Sequence, residues 1–348
     1  MAHREFAPET HYQHLMDTRP PSLAFQATTR EEWRSWRRRL LGRLRRLVGE
    51  FPEEKCDLAP EVLEREPADG YVREKVVFDA EPAASVAAYV LVPDPPPQGA
   101  PVVIALHGHG PGKSRPAGIC ETDEEREAVI GGERDYAVQA ARRGYVAIAP
   151  DMRAFGERRN AGDIEAGKGN SCREAFVHGV MLGRTPVGER VWDVMRCLDY
   201  LDTRPEADAS RATVMGQSGG GTVTLFAGAL ERRISAAVVS GYFCTFRDSI
   251  MVLHHCDCNY VPGLLQVAEM DDVAGLIAPR PLLVVAGRED PIFPIEATER
   301  AYQRLERVYA LLGCPERLEK YVGDGGHRFY AERVWPFLAE RGVGVSEK

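Results

Sequence analysis

The sequence predicts an α/β fold, with a mostly parallel central sheet covered by helices on both faces, a helical N-terminal arm and two long loop insertions. Three observations predict it. Short apolar runs such as Val102 to Leu106 and Tyr145 to Ala149 have strand length and no polar alternation, as strands buried on both faces do. Stretches with helical spacing, Val187, Val191, Val194, Leu198 and Leu201 among them, take turns with those runs. Parallel neighbours need a crossover connection, and a helix supplies it.

The arm comes first, over residues 1–69. Thr29 with Glu32 three residues on fits a capping box, and Trp33, Trp36, Leu40, Leu44 and Leu47 then form a stripe opposite Arg34, Arg38 and Arg45. The reading favoured over a basic membrane-surface helix is docking by the tryptophan face, on the chain's own domain or on a sister subunit. The second choice would make a homo-oligomer through the arm. Val72 to Phe78 and Val86 to Val92 read as adjacent strands, and the buried run Val102 to Leu106 follows a proline turn. Asp135 to Arg143 is helical before the strand Tyr145 to Ala149. Further on come a strand Ala212 to Met215, a helix Gly219 to Leu230 and strands Ala236 to Val239 and Pro281 to Ala286. A helix Ile295 to Leu312, a strand Leu318 to Val322 and a last helix after His327 complete a catalytic unit over residues 70–342. Insertions at about 152–186 and 241–278 break this rhythm. Long connections rich in polar, Cys and His residues are expected to frame a pocket.

A net charge of -8 offers no global attraction to nucleic acid or anionic lipid, so a small molecule is the expected partner. The first twenty residues hold no apolar core of a secretory signal, and no run approaches the roughly 18 apolar residues of a membrane span. Eight irregularly spaced cysteines suit reduced thiols better than a disulfide framework. The expectation is a cytoplasmic protein.

Gly216-Gln217-Ser218-Gly219-Gly220 follows an apolar strand and opens a helix. A G-x-S-x-G turn in that setting lifts a serine oxygen clear of the sheet, and small flanking residues relieve the clashes of so sharp a turn. A serine nucleophile needs a base, and the base needs a carboxylate to hold its tautomer. Asp290 and His327 stand at the ends of the two later strands, in the order serine, acid, histidine; Glu289 and Asp324 are the other choices for the acid. The backbone amides of Gly219 and of His109, in Leu106-His107-Gly108-His109-Gly110, are the candidate oxyanion donors.

Together with Asp151-Met152-Arg153-Ala154-Phe155-Gly156 and Ala278-Pro279-Arg280-Pro281-Leu282-Leu283, these motifs resemble the dienelactone hydrolase and acetyl xylan esterase-like branch of the α/β-hydrolase superfamily. The resemblance covers residues 70 to 342 and implies the same triad and oxyanion assignments. It departs from dienelactone hydrolases proper at the nucleophile, which is a cysteine there and Ser218 here. The expected activity is hydrolysis of a small carboxylic ester or lactone through an acyl-enzyme. Amide cleavage, acyl transfer on the same triad, and a non-catalytic ligand-binding homologue are the alternatives.

Further expectations concern the pocket. Arg153, Glu157 and Arg184 are candidates for binding a substrate carboxylate, since guanidinium forks suit that group. His107, Gln217, His254 and His255 are candidate lining residues. The His254-His255-Cys256-Asp257-Cys258 run contains zinc-ligand types, but its C-x-C has no evident second pair along the chain. No metal and no cofactor are therefore expected.

Overall fold

Among the residues described by the computed structural model, 4–345, nine strands pair into one sheet. They are β1 (Glu61–Ala68), β2 (Tyr71–Glu81), β3 (Ala84–Pro93), β4 (Ala100–Leu106), β5 (Val146–Pro150), β6 (Ala207–Gln217), β7 (Ile234–Ser240), β8 (Leu282–Gly287) and β9 (Leu318–Gly323). Their spatial order is β1-β2-β3-β5-β4-β6-β7-β8-β9. The first three strands form an antiparallel meander joined antiparallel to β5, and every pair from β5 through β4 to β9 is parallel. This is the α/β class the apolar runs predict.

β1 is an addition to that reading. All its residues are exposed, so it has no buried face to leave a period in the sequence, and its glutamates suit an open sheet edge.

Helices cover both faces. Helices Arg30–Val48, Pro186–Leu201, Gly219–Leu230 and Ile295–Leu312 pack into one core, and Tyr136–Ala141 with Val334–Glu340 into the other. Because β4 lies between β5 and β6, the chain leaves it in one direction and later returns on its other side. The ends of β4 and β6 therefore flank a switch point, where open α/β sheets leave a crevice beyond their strand ends.

The arm docks on its own chain. Thr29 Oγ1 accepts from the Glu32 amide and Glu32 Oε2 from the Thr29 amide, closing the capping box. Trp36, Leu40, Leu44 and Val48 are buried in the same core as helix Pro186–Leu201. Trp36 Nε1 donates to the Leu23 carbonyl at 2.7 Å, and its ring meets Phe25 edge-on. Gly188 is required by this docking, since a Cβ there would overlap the Val48 carbonyl. Trp36, Leu40 and Leu44 of the apolar stripe are thus buried within the chain, while Trp33 and Leu47 are half-buried. No helix among the described residues is long and apolar enough to cross a membrane.

Candidate active site

Ser218 sits between β6 and helix Gly219–Leu230, with φ 58° and ψ -120°. That left-handed backbone is costly for a residue with a Cβ and persists only where the surroundings enforce it. Here they do. The Ser218 amide donates to Ser240 O at the end of β7 at 2.9 Å. A Cβ at Gly220 would overlap the Leu106 carbonyl, and one at Gly216 would lie 2.5 Å from the Gly220 carbonyl carbon. The glycines around the serine are therefore requirements of close backbone approach. Among the described residues, Ser218 Oγ makes no hydrogen bond.

Asp290 and His327 meet where β8 and β9 end. His327 Nδ1 lies 2.7 Å from Asp290 Oδ2, while Asp290 Oδ1 accepts from the Ile292 and Phe293 amides at 2.9 and 3.1 Å. The carboxylate is thus held on both sides and buried, whereas the imidazole keeps some exposure. Phe293 stacks on the His327 ring with centroids 5.8 Å apart. Gly241 connects this pair to the serine: it follows Ser240 with φ 53°, and a Cβ on it would stand 3.2 Å from His327 Cε1. Of the other acids considered, Glu289 is exposed, and Asp324 is an exposed partner of Arg288.

The loop after β4 closes the other side. A Cβ at Gly108 would lie 3.3 Å from the Ser218 Cβ, and one at Gly219 would lie 2.9 Å from His109 Nδ1 and 3.8 Å from the His109 amide nitrogen. The two candidate oxyanion amides are therefore neighbours. His107 does not line the pocket as expected; its ring is buried, with Nδ1 on Gly108 O at 2.7 Å and Nε2 accepting from the Met152 amide at 3.0 Å. Burial, only partly offset by the charge on Asp151, pulls its pKa down to about 4 and keeps the ring neutral. Asp151 braces the same loop, accepting from the amide and Nζ of Lys113 at 2.7 Å each and from the Glu157 amide at 3.0 Å.

The candidate carboxylate binders are already engaged. Arg153 grips Asp193 with Nε and Nη2 at 3.0 to 3.2 Å and reaches Glu81 at 2.6 Å. Arg184 takes Glu81 in a fork at 2.7 and 2.9 Å, and Glu157 pairs with Lys113 and Lys75. The guanidinium forks do find carboxylates, but ones on β2 and on helix Pro186–Leu201. His254 is exposed, Gln217 is buried beneath the serine turn, and His255 shares Ser249 Oγ at 3.0 Å while its ring packs on Phe293. Two arginines not singled out in the sequence stand nearer the site. Arg115 Nη1 donates to His109 O at 3.3 Å and Arg134 Nη2 to His327 O at 3.2 Å.

The cysteines give a second correction. The C-x-C element does have partners: the ligand atoms of His109, Cys172, Cys256 and Cys258 all lie within 4.8 Å of one another. Cys258 Sγ is 3.4 Å from both His109 Nε2 and Cys256 Sγ, and Arg190 Nη2 is 3.4 Å from Cys172 Sγ. Hydrogen bonds from the Cys172 and Cys256 thiols, helped by the charge of Arg190, hold the Cys258 thiol well below its ordinary range despite burial. Spacing along the chain could not reveal the set, because its members come from three separate connections.

A strained serine at a strand-to-helix turn, a histidine three strands away held by an aspartate two strands away, and a doubly wound sheet define an α/β-hydrolase. Residues 9–324 match the Abhydrolase family, and the chain belongs to it. The match takes in most of the arm. The chain is 27% identical over 293 residues to YtaP of Bacillus subtilis (strain 168), a protein named as a hydrolase, covering 81% of this chain and 91% of that one. Among solved structures, an acetyl xylan esterase from Bacteroides fragilis NCTC 9343 superimposes with a TM-score of 0.82 at 20% identity, covering 97% of this chain and 95% of that one. A glucuronoyl esterase from Solibacter usitatus gives 0.68 at 18% identity, covering 94% and 97%.

Proposed function

We propose that the chain is a serine-dependent carboxylic ester hydrolase acting on a small ester or lactone, with Ser218 as nucleophile, His327 as base and Asp290 orienting the base. The observation that carries this reading is the Asp290 Oδ2 to His327 Nδ1 contact of 2.7 Å, with Gly241 linking the imidazole to the strained Ser218 turn. Esterase names among the structural neighbours support an ester as the bond attacked.

In this mechanism, Asp290 Oδ2 accepts from Nδ1–H, which leaves Nε2 free to take the serine proton as Oγ attacks the carbonyl carbon. The hydrogen bond from Ser218 Oγ to His327 Nε2 is made when a substrate carbonyl is in place, as catalytic hydrogen bonds commonly close only in the complex. The amides of His109 and Gly219 receive the developing oxyanion, and they can do so without reorganisation because glycine packing already fixes both. The protonated imidazole then donates to the leaving alcohol. Water, activated by the same base, cleaves the acyl-enzyme.

The test is hydrolysis of p-nitrophenyl esters of increasing acyl length by the wild type, Ser218→Ala and Asp290→Asn, with fluorophosphonate labelling of each. Ser218→Ala should lose about four to six orders of magnitude in kcat together with its label, and Asp290→Asn about four orders. Equal rates in the wild type and Ser218→Ala would remove the serine from the mechanism. A folded wild type that neither turns over nor takes the label would favour the non-catalytic reading.

A further inference from the structure

Three thiols and an imidazole converge beside the site although no step above uses them. We infer that His109, Cys172, Cys256 and Cys258 form a zinc site, a structural clasp that fixes the oxyanion loop to both long connections.

The donor set fits this cation. Zinc takes thiolate and imidazole ligands in a tetrahedron, with bonds of about 2.3 Å to sulfur and about 2.0 Å to nitrogen. Those bond lengths place sulfurs about 3.8 Å apart and sulfur and nitrogen about 3.5 Å apart. The contacts from Cys258 Sγ, 3.4 Å to Cys256 Sγ and 3.4 Å to His109 Nε2, come within about 0.4 Å of that spacing, and all four ligand atoms fall within 4.8 Å of one another. Nε2 of His109 faces the sulfurs, so the imidazole presents a ligating nitrogen with no rotation of the ring. Pairing two of the thiols as a disulfide would leave the third thiol and the imidazole without a role.

Charge and packing agree. Three thiolates and one Zn²⁺ carry a net single negative charge, which a buried site must balance. Arg190 supplies the balance: it is 2% exposed, donates to Cys172 Sγ and also holds the Arg153 carbonyl with Nε and Nη2. Phe155 packs edge-on against the His109 ring at 5.3 Å and lies under the Arg190 guanidinium. An outer layer that orients and neutralises the ligands in this way is what buried metal sites require.

Four protein ligands leave no open coordination position, which makes the metal structural and leaves the acyl chemistry to the serine. Its effect on that chemistry runs through position. His109 contributes a ring to the metal and a backbone amide beside Gly219, and Gly108 packs against Ser218. Cys172 opens the helix Cys172–Met181 of the first long connection, while Cys256 and Cys258 belong to the second. One cation thereby ties three chain segments that share no strand.

The experiment uses untagged full-length protein made in zinc-supplemented medium and purified under reductant. Metal is counted by mass spectrometry, and thiols are titrated with a mercurial while a chromogenic chelator follows zinc release. About one zinc per chain is expected, released as the cluster thiols react, lost in Cys258→Ser and Cys172→Ser and retained in Ser218→Ala. The cobalt(II) form of the wild type should show thiolate-to-cobalt charge transfer and tetrahedral d–d bands, a readout that survives if a cysteine variant fails to fold. Reduced, folded wild type that takes up no stoichiometric zinc or cobalt would overturn the site. So would zinc retained equally by Cys258→Ser, or a disulfide among the three cysteines in place of metal. Loss of metal without loss of fluorophosphonate labelling would separate the clasp from the serine mechanism.

Discussion

The two long connections look alike in sequence and behave in opposite ways in the fold. Residues 152–186 carry arginines that are neutralised by acids of β2 and of helix Pro186–Leu201: Arg153 and Arg158 share Asp193, and Arg153 and Arg184 share Glu81. Residues 241–278 form ion pairs too, Asp248 with Arg300 and Asp271 with Arg304, but Glu269 and Asp272 rest on backbone amides instead. His255 packs behind the His327 imidazole through Phe293, Cys256 and Cys258 converge on His109, and Asp272 is buried with the half-buried Glu269 beside it. A connection tied by ion pairs to the strand and helix beside it is scaffold. One that sets thiols and an imidazole beside the candidate site serves that site, and its buried acids cost stability that the scaffold must offset.

The sharpest way to break this contrast is to open the lattice. Asp193 is 3% exposed and accepts from two arginines, whose charges outweigh its burial and keep its pKa low. Replacing one partner of such a pair leaves buried charge uncompensated, which costs about 3 to 5 kcal/mol. Asp193→Asn should fall near the lower figure, because Arg153 keeps Glu81 and Arg158 keeps the Asp151 carbonyl. Urea unfolding should register the loss while kcat per folded molecule stays close to wild type. A comparable fall in kcat would show that the first connection shapes the chemistry directly.

The reverse behaviour is expected of Gly241→Ala at the start of the second connection. A Cβ there meets His327 Cε1 at 3.2 Å and must be carried at φ 53°, so the imidazole has to shift. The shift required is a few tenths of an ångström, well short of the roughly 1 Å that can cost about a hundredfold, so a loss of up to about tenfold in rate is expected. Steady-state kinetics should show kcat reduced with a smaller change in KM, and unfolding should show a loss of only about 1 kcal/mol. Unchanged kcat would mean that His327 tolerates the displacement and that Gly241 is kept for its turn alone.

Much of this was readable beforehand, and the rest was hidden for identifiable reasons. Helices Gly219–Leu230 and Ile295–Leu312 fall where their apolar spacing puts them, and Asp290 rather than Glu289 or Asp324 meets His327. These features are local: a periodic face, a glycine turn, a residue at a strand end. β1 escapes because an exposed charged edge leaves no pattern. Arg153 and Arg184 mislead because the chemistry of the fork is right while its carboxylates, Glu81 and Asp193, lie far away in sequence. Cys172 is 84 residues before Cys256, so only the folded chain reveals them as neighbours.

The smallest expected effect is one of sign, and it separates the two regions by pH. Burial and the neighbouring charge of Asp271 raise Asp272 from its ordinary range to about 7, while the Arg184 and Arg153 forks overcome burial to pull Glu81 down to about 2. A carboxyl with a raised folded pKa holds a proton that the unfolded chain releases. Its contribution is complete below the ordinary value of 3.8 and is lost as pH climbs through about 7. Glu81 runs the other way: its contribution stands above the ordinary 4.5 and is lost as pH falls toward about 2. Thermal unfolding between about pH 4 and pH 8 should therefore show Asp272→Asn less stable than wild type at the acid end. There the neutral Asp272 still accepts from the Phe25 and Glu269 amides with separate oxygens, which one amide oxygen cannot match. The gap should narrow toward the basic end, where the wild type has to ionise a buried carboxyl. Parallel stability curves for the two proteins would mean that Asp272 titrates normally and that the second connection is as well neutralised as the first.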